Sequence, residues 1–408
     1  MSVSALLMPL LLALRNLRRQ FRRSLTALLS IGFGVAALLV ALGFNEAMFD
    51  EFREATIRSQ FGHLQVSRPG FQDRGRSDPW AYLLPAEIAV DQDLLPEGAT
   101  VAPRLLLNGL VSFGEVTLPF MSEGIDPARD MLDDRSLRMV EGRRLAAGDH
   151  RQLVLGQGLA SQLEVAVGQS VVLLANTPDG HLGAAEAEVV GIFSSFSQEF
   201  DDAALLMPID LARGLAQVDG AHAWLVFLED TRDTDAALAP VRASLPGDDF
   251  DVQPWHALAE FYARASALFQ QQLDLVKAIV VFIILLGISN TMMMSVLERT
   301  GEIGTVMALG NKRASVLRGF LIEGALLGLL GAALGVLVAL GLGQLLALAE
   351  IEMPPPPTFA RSYHAGLLIT PGMVLETVLI ACVTTTLASL YPAWRASRMV
   401  IVDAIRHV

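Results

Sequence analysis

Cysteine is almost absent, with Cys382 alone in 408 residues. No intrachain disulfide can form, and metal sites built from two or four cysteines are excluded. Lysine is nearly as scarce: Lys277 and Lys312 are the only two among 30 basic residues. Charged residues make up 18%, against about 25% in an ordinary soluble chain. With 52% hydrophobic residues and a mean hydropathy of +0.46, that deficit points to membrane spans. The net charge of −13 argues against nucleic acid as a partner. Catalytic groupings are missing too. The 7 histidines are scattered, with no HExxH pair, so no zinc peptidase site is encoded. No GxSxG elbow appears. No P-loop appears either, since Lys312 sits in Gly310–Asn311–Lys312–Arg313 rather than after a phosphate-cradling glycine loop. The chain reads as non-catalytic, with no metal ligands and no cofactor of its own. Energy for any work on a substrate would come from another polypeptide or an ion gradient.

What the sequence does hold is long apolar runs. A bilayer crossing needs about 20 apolar residues. Ser24 to Asn45 and Ala278 to Leu297 carry no charge; Gly319 to Ala349 carries only Glu323, and Thr370 to Trp394 only Glu376. Both acids lie near span ends, where snorkelling to the interface accommodates them. The organisation expected is a cytoplasmic amphipathic helix over 1–23 and spans at 24–45, 273–297, 314–349 and 370–394. A large domain fills 46–272, a connector 298–313, a short loop 350–369 and a tail 395–408. The N-terminal helix places Leu7, Leu10, Leu14, Leu17 and Phe21 at helical spacing, which suits the lipid of the inner leaflet.

Arginine asymmetry orients the spans. Arg15, Arg18, Arg19, Arg22 and Arg23 precede the first; Arg299, Lys312, Arg313 and Arg318 lie between the second and third; Arg395, Arg398 and Arg406 follow the fourth. The 350–369 loop has only Arg361. Both termini and the connector are therefore expected in the cytoplasm. Residues 46–272 hold 35 acids and 16 basic residues, the remainder 8 and 14, so the acidity belongs to the outer domain.

That domain reads as α+β. Ala47 to Gln60 and Trp255 to Gln272 look helical and could extend the first two spans as stalks. Between them, β-rich runs at Gly62–Ser67, Gly109–Phe113 and Ser170–Ala175 alternate with turn signals at Pro69–Gly70, Pro178–Asp179–Gly180 and Pro246–Gly247. The Asp201–Asp202 pair could bind a cation but reads better as a solvated turn between Phe200 and a Leu205–Met207 strand. The fold class expected is a membrane α-helical protein with four transmembrane helices and a large α+β extracytoplasmic (periplasmic) domain between the first two.

The connector carries the most information. Ile303, Met307 and, one helical turn on, Ala308–Leu309 lie on or near one face. Glu298 and Glu302 are one turn apart at the N-terminal end, where the helix dipole favours acids. Gly310 is placed to stop the helix, and Lys312–Arg313 complement its C-terminal end. In the third span Gly324, Gly328, Gly331 and Gly335 share one face and permit close backbone approach, to the fourth span or to a second protomer.

The run 290–331 resembles the permeases of the MacB/FtsX/LolC–LolE superfamily of ABC transporters. Its E-R-[TR]-x-E-I-G-x-x-x-A-x-G segment falls on Glu298, Arg299, Thr300, Glu302, Ile303, Gly304, Ala308 and Gly310, and its F-L-I-E on Phe320–Glu323. Residues 13–37 are similar to the family's first-span signature, 154–174 with Val189–Phe193 to its extracytoplasmic domain, and 392–406 to its C-terminal motif. Ile401 stands where that motif has proline.

The resemblance implies a type VII ABC subunit that works by mechanotransmission, with ATP and Mg held by a separate ATPase. Glu298, Arg299, Glu302, Ile303, Gly304, Met307 and Gly310 would form the ATPase-coupling helix. Partners implied are that ATPase, a second permease copy or paralogue, membrane lipid, and a periplasmic lipoprotein carrier or adaptor. The location implied is the bacterial inner membrane. Length and the missing ATPase domain favour the lipoprotein-release members. A MacB-like exporter of peptides or amphiphiles and an FtsX-like regulator of an extracytoplasmic hydrolase are the alternatives. The four prolines at 354–357 make a stiff extended rod of open role. Neither the substrate nor homodimer against heterodimer is legible.

Overall fold

The computed structural model describes residues 15, 19, 21–75, 77–91, 94–134, 136–195, 197–349, 352–353, 363–364 and 366–399. The leucine run 6–14, the 354–357 prolines and Ile401 lie outside them. The chain divides into two compact units: one from 1–48, 267–351 and 364–408, the other from 49–266 with 352–363.

The first unit is a helical bundle. Four helices are long and apolar enough to cross a membrane. The first, Phe21–Thr56, continues into a π-helical turn at Ile57–Phe61. The others are Glu260–Glu298, Arg313–Ala349 and Pro371–Ser397. The first three run 36, 39 and 37 residues, well beyond the minimum span. The extra turns lie in the segments read as stalks and flanks. The bundle core joins Ile31, Val35 and Leu39 to Ile284, Ile288 and Met292, and to Leu327, Ala332 and Ala381. Leucines on the opposite faces, such as Leu337 and Leu387, stay exposed, as suits groups that face hydrocarbon.

The second unit is built on one mixed sheet. Its strands are β1 (Leu64–Ser67), β2 (Thr100–Phe113), β3 (Val116–Ile125), β4 (Arg138–Gly142) and β5 (Gln152–Gly156). They continue with β6 (Ser170–Asn176), β7 (Leu182–Ser194), β8 (Ala204–Pro208), β9 (Ala223–Phe227) and β10 (Asp251–Pro254). The order is β10-β1-β9-β2-β3-β8-β5-β7-β4, with β6 pairing β2 and β7 off this path. Among the described residues, β3/β8 and β5/β7 run parallel and the other strand pairs of this sheet antiparallel. The α+β expectation holds, and the three turn signals place Gly70, Gly180 and Gly247 at positive φ.

Alternation explains the strands. In β6, Val171, Leu173 and Ala175 turn inward while Ser170, Val172 and Asn176 face out. Strand β9 reads Ala-Trp-Leu-Val-Phe and is buried throughout, because it lies between β1 and β2 and both its faces are covered. Trp224 from β9 packs in the main core with Leu105, Phe120, Leu173 and Leu205. Where the chain enters and leaves the sheet unit, aromatic rings clasp. Tyr262 packs against Phe49, Phe52 and Trp255 at centroid distances of 5.8, 5.3 and 5.1 Å. The sheet unit is thereby closed at its own two helical ends.

Asp201 departs from the reading as a solvated turn. It is buried, accepting a hydrogen bond from Ser194 Oγ at 3.1 Å and another from the Ser195 backbone at 2.9 Å. Its neighbour Asp202 is exposed. The two face opposite ways because Asp201 ends a short helix, Gln198–Asp201, that folds back onto β7.

Candidate functional site

The connector is a short helix, Thr300–Ala308. Arg299 breaks it from the second span, with φ −102° and ψ 13°. Glu298 therefore ends the second-span helix instead of starting the connecting one. A helix C-terminus disfavours an acid, and Arg23 compensates: its Nη1 and Nη2 donate to Glu298 Oε2 and Oε1, each at 2.6 Å. Glu302 does lie in the first turn, as expected. It accepts from Arg19 at 2.8 Å and stands 3.5 Å from Arg299. The arginines before the first span thus tie that span to the connector.

Gly310 ends the helix at φ +89°, where a Cβ would be strained. Its N–H donates to Met307 O at 3.1 Å, and Asn311 N–H to Val306 O at 3.3 Å. That pair of bonds is a Schellman closure.

The apolar face differs from expectation. Ile303 and Met307 do not face outward toward an ATPase: both are buried, with Val296, Phe320, Ala393 and Ala396, inside the chain's own bundle. Gly304 is buried beside them. Ala308 and Leu309, expected on the same face, are instead outward with Glu302 and Val306, and Leu309 is 83% exposed. A helix with two apolar stripes offers two candidate inner faces, and periodicity does not say which one the third and fourth spans cover.

Glu323 also departs from its reading. Its side chain is buried and meets Arg299 Nη1 at 3.3 Å, so it is an internal ion pair and does not snorkel. Arg299 lies over the Phe320 ring, 5.6 Å from its centroid. Glu376 pairs with Lys277 at 2.8 Å.

The third-span glycines meet two helices: Gly324 and Gly328 face the fourth span, one of the two partners expected, whereas Gly331 and Gly335 face the first, which was not expected. A Cβ at Gly324 would lie 2.6 Å from Ser389 Oγ, and one at Gly328 2.2 Å from Thr385 Oγ1, both on the fourth span. At Gly331 it would meet Ile31 at 2.6 Å, and at Gly335 the Gly32 carbonyl at 2.6 Å, both on the first. Eleven residues of helix rise about 16 Å, enough for crossing neighbours to exchange places along one stripe.

Among the described residues no His, Cys, Asp and Glu group could hold a metal ion. The sheet unit does contain buried polar groups that sequence reasoning missed. Arg104, 2% exposed, binds Glu123 and, at 2.8 Å, Asp130. Burial pushes both carboxyls upward, and the shared guanidinium pulls them back. Two histidines are held neutral. The Leu228 N–H donates to His63 Nδ1 at 3.0 Å, so its Nε2 donates to Thr231 Oγ1 at 3.1 Å, and that hydroxyl donates to Glu54 at 2.5 Å. Likewise the Leu106 N–H donates to His222 Nδ1 and leaves Nε2 to donate to Pro79 O, each at 3.1 Å.

Burial lowers both histidine pKa values from 6.5 to about 4. An imidazole depressed in the folded state contributes stability that is present above its unfolded pKa and lost as pH falls. The window runs from about 6.5 down to about 4. Between about pH 7.5 and about pH 5 that loss is about 2 kcal/mol per histidine. The stability advantage of the native chain over His222→Gln should shrink by that amount across the interval, followed by urea unfolding at both pH values. A pH-independent difference would mean that His222 is not buried neutral.

Comparison with known proteins accords with this architecture. The MacB-like periplasmic core domain family matches residues 24–244, and the FtsX-like permease C-terminal family residues 275–401. The lipoprotein-releasing system transmembrane protein LolC of Neisseria meningitidis serogroup B is 25% identical over 425 residues, covering 97% of this chain and 98% of that protein. The macrolide export ATP-binding/permease protein MacB of Rhodospirillum rubrum is 29% identical over 402 residues, covering 94% of this chain and 58% of that protein. The periplasmic region of MacB from Actinobacillus actinomycetemcomitans aligns with 50% of this chain and 94% of its own, at 14% identity and TM-score 0.36. With the first family covering more than half its length and the second most of the remainder, this chain belongs to the MacB/FtsX/LolC superfamily of ABC transporter permeases, multi-pass proteins of the bacterial inner membrane.

Proposed function

We propose that this chain is the permease subunit of a mechanotransmission system that handles lipoprotein, or another lipidic cargo, on the outer side of the inner membrane. ATP and Mg bind a separate ATPase, and a second permease copy or paralogue completes the complex. Both termini and the connector face the cytoplasm, and the sheet unit faces the periplasm. A lipoprotein carrier or adaptor receives the cargo. The observation that carries this reading is the connecting helix. Its inner face is anchored by Ile303 and Met307, its end is closed at Gly310, and Val306 and Leu309 are left outward. A soluble motor could grip that face and move the third and fourth spans through the same apolar cluster. The near full-length similarity to LolC supports the cargo class. The MacB-like family match supports a second reading, export of peptides or amphiphiles through an adaptor and outer-membrane channel.

The test is co-purification with ABC ATPase subunits of the same host, then reconstitution in liposomes that carry a fluorescent lipoprotein. The complex should hydrolyse ATP, the chain alone should not, and release of the lipoprotein to a soluble acceptor should require ATP. Failure to capture any ATPase would overturn the permease reading. Capture with release of unlipidated peptide alone would favour the second reading.

A further inference from the structure

We propose that the sheet unit carries a groove that binds a basic, apolar-rich peptide segment. A cleft of about 1640 Å³ opens in this unit, beyond the roughly 300–1,000 Å³ of ordinary small-molecule pockets. Its apolar wall includes Phe52 and Phe261 from the helical ends, and Phe71 and Trp80 from the segment after β1. The outward face of the β2–β3 hairpin adds Leu106 and Met121, which are 42% and 51% exposed. Apolar side chains of a ligand would cover the surface this chain leaves open there.

Interleaved with the rings are the carboxamides Gln60, Gln65, Asn108 and Gln253. Each amide can both donate and accept, which matches the alternating groups of a peptide backbone better than it matches an acyl chain.

Charge sets the sign of the ligand. The lining carboxylates are Asp73, Glu123, Glu199, Asp202 and Glu260, and the guanidiniums are Arg104 and Arg264. Arg104 is committed to Glu123 and Asp130, and Arg264 to Glu260 at 2.7 Å. His222, also on the wall, is held neutral by burial. Asp73, Glu199 and Asp202 remain exposed, with no cation paired to them among the described residues. Lysine or arginine side chains on the ligand would complete them.

The proposal rests on reading this unit as the part that meets cargo. Its test uses the full chain in phosphatidylcholine nanodiscs and a short fluorescein-labelled peptide of lysine, leucine and glutamine, with empty nanodiscs subtracted. Saturable anisotropy is expected. Replacing lysine by glutamate in the peptide should weaken binding at least about tenfold, since attraction becomes repulsion. The variant Asp73→Asn/Glu199→Gln/Asp202→Asn, confined to exposed side chains, should weaken the basic peptide several-fold. A benzophenone in the peptide should label segments that contain Trp80, Met121 or Phe261. Equal binding of both peptides, insensitivity to the triple variant, or labelling confined to the spans would each overturn the groove. Binding that leaves ATP turnover of the assembled complex unchanged would uphold the groove and overturn the cargo-handling reading. Lipoprotein-responsive turnover with no peptide binding would overturn the groove alone.

Discussion

Leu309→Asp is expected to leave the bundle folded and to weaken capture of an ATPase subunit by one to two orders of magnitude, whereas Ile303→Asp is expected to abolish the folded bundle. Leu309 is 83% exposed and Ile303 6%. Burying a leucine in a partner's groove is worth about 1.5–3 kcal/mol, and each 1.4 kcal/mol is about a factor of ten in affinity. An aspartate at 309 forfeits that term and adds the desolvation of a charge at the contact. The same aspartate at 303 would sit among Val296, Met307, Phe320 and Ala393 with no partner, and the bundle rather than the interface would bear the loss. Size-exclusion profiles report the fold, and titration of fluorescently labelled ATPase reports the affinity. Unchanged affinity in Leu309→Asp would show that this face is not the docking surface. A well-folded Ile303→Asp would show that the Ile303 cluster is dispensable.

Arg104→Met should destabilise the sheet unit by about 3–5 kcal/mol, the range for removing one partner of a buried ion pair. Against a total of about 5–15 kcal/mol for a typical domain, that is a large fraction. The variant strands Glu123 and Asp130, the two carboxylates that share this guanidinium. Burial already pushes both upward, and loss of the cation would push them further. A carboxyl raised in the folded state contributes stability below its unfolded pKa and loses it as pH rises through the folded value. The deficit of Arg104→Met should therefore be smaller at about pH 5 than at about pH 8. Adding Glu123→Gln and Asp130→Asn should recover most of it, because the stranded charges are gone. Urea unfolding followed by tryptophan fluorescence measures all three proteins. A deficit under about 1 kcal/mol, or no recovery in the triple variant, would show that the cluster is not the buried ion network described.

By itself the sequence determined the membrane architecture. Four long apolar runs, two uncharged and two with a single acid near one end, read as spans because a charge in hydrocarbon is costly and an apolar run in water is exposed. It also determined the α+β character of residues 46–272, the stop at Gly310 and the glycine seam, since each depends on local spacing or on the missing Cβ. Tertiary structure decided which side of a locally legible element meets which neighbour. Ile303 and Met307 turned inward because the third and fourth spans supply Phe320, Ala393 and Ala396 to cover them. Glu323 became an internal partner because Arg299 reaches it across 24 residues of chain. Arg104, Glu123 and Asp130 meet only because β2 pairs with β3 and the chain after β3 folds back. Asp201 was buried by a short helix folding onto β7. Isolated charges carry no periodic signal, and their pairing depends on contacts between segments far apart in sequence.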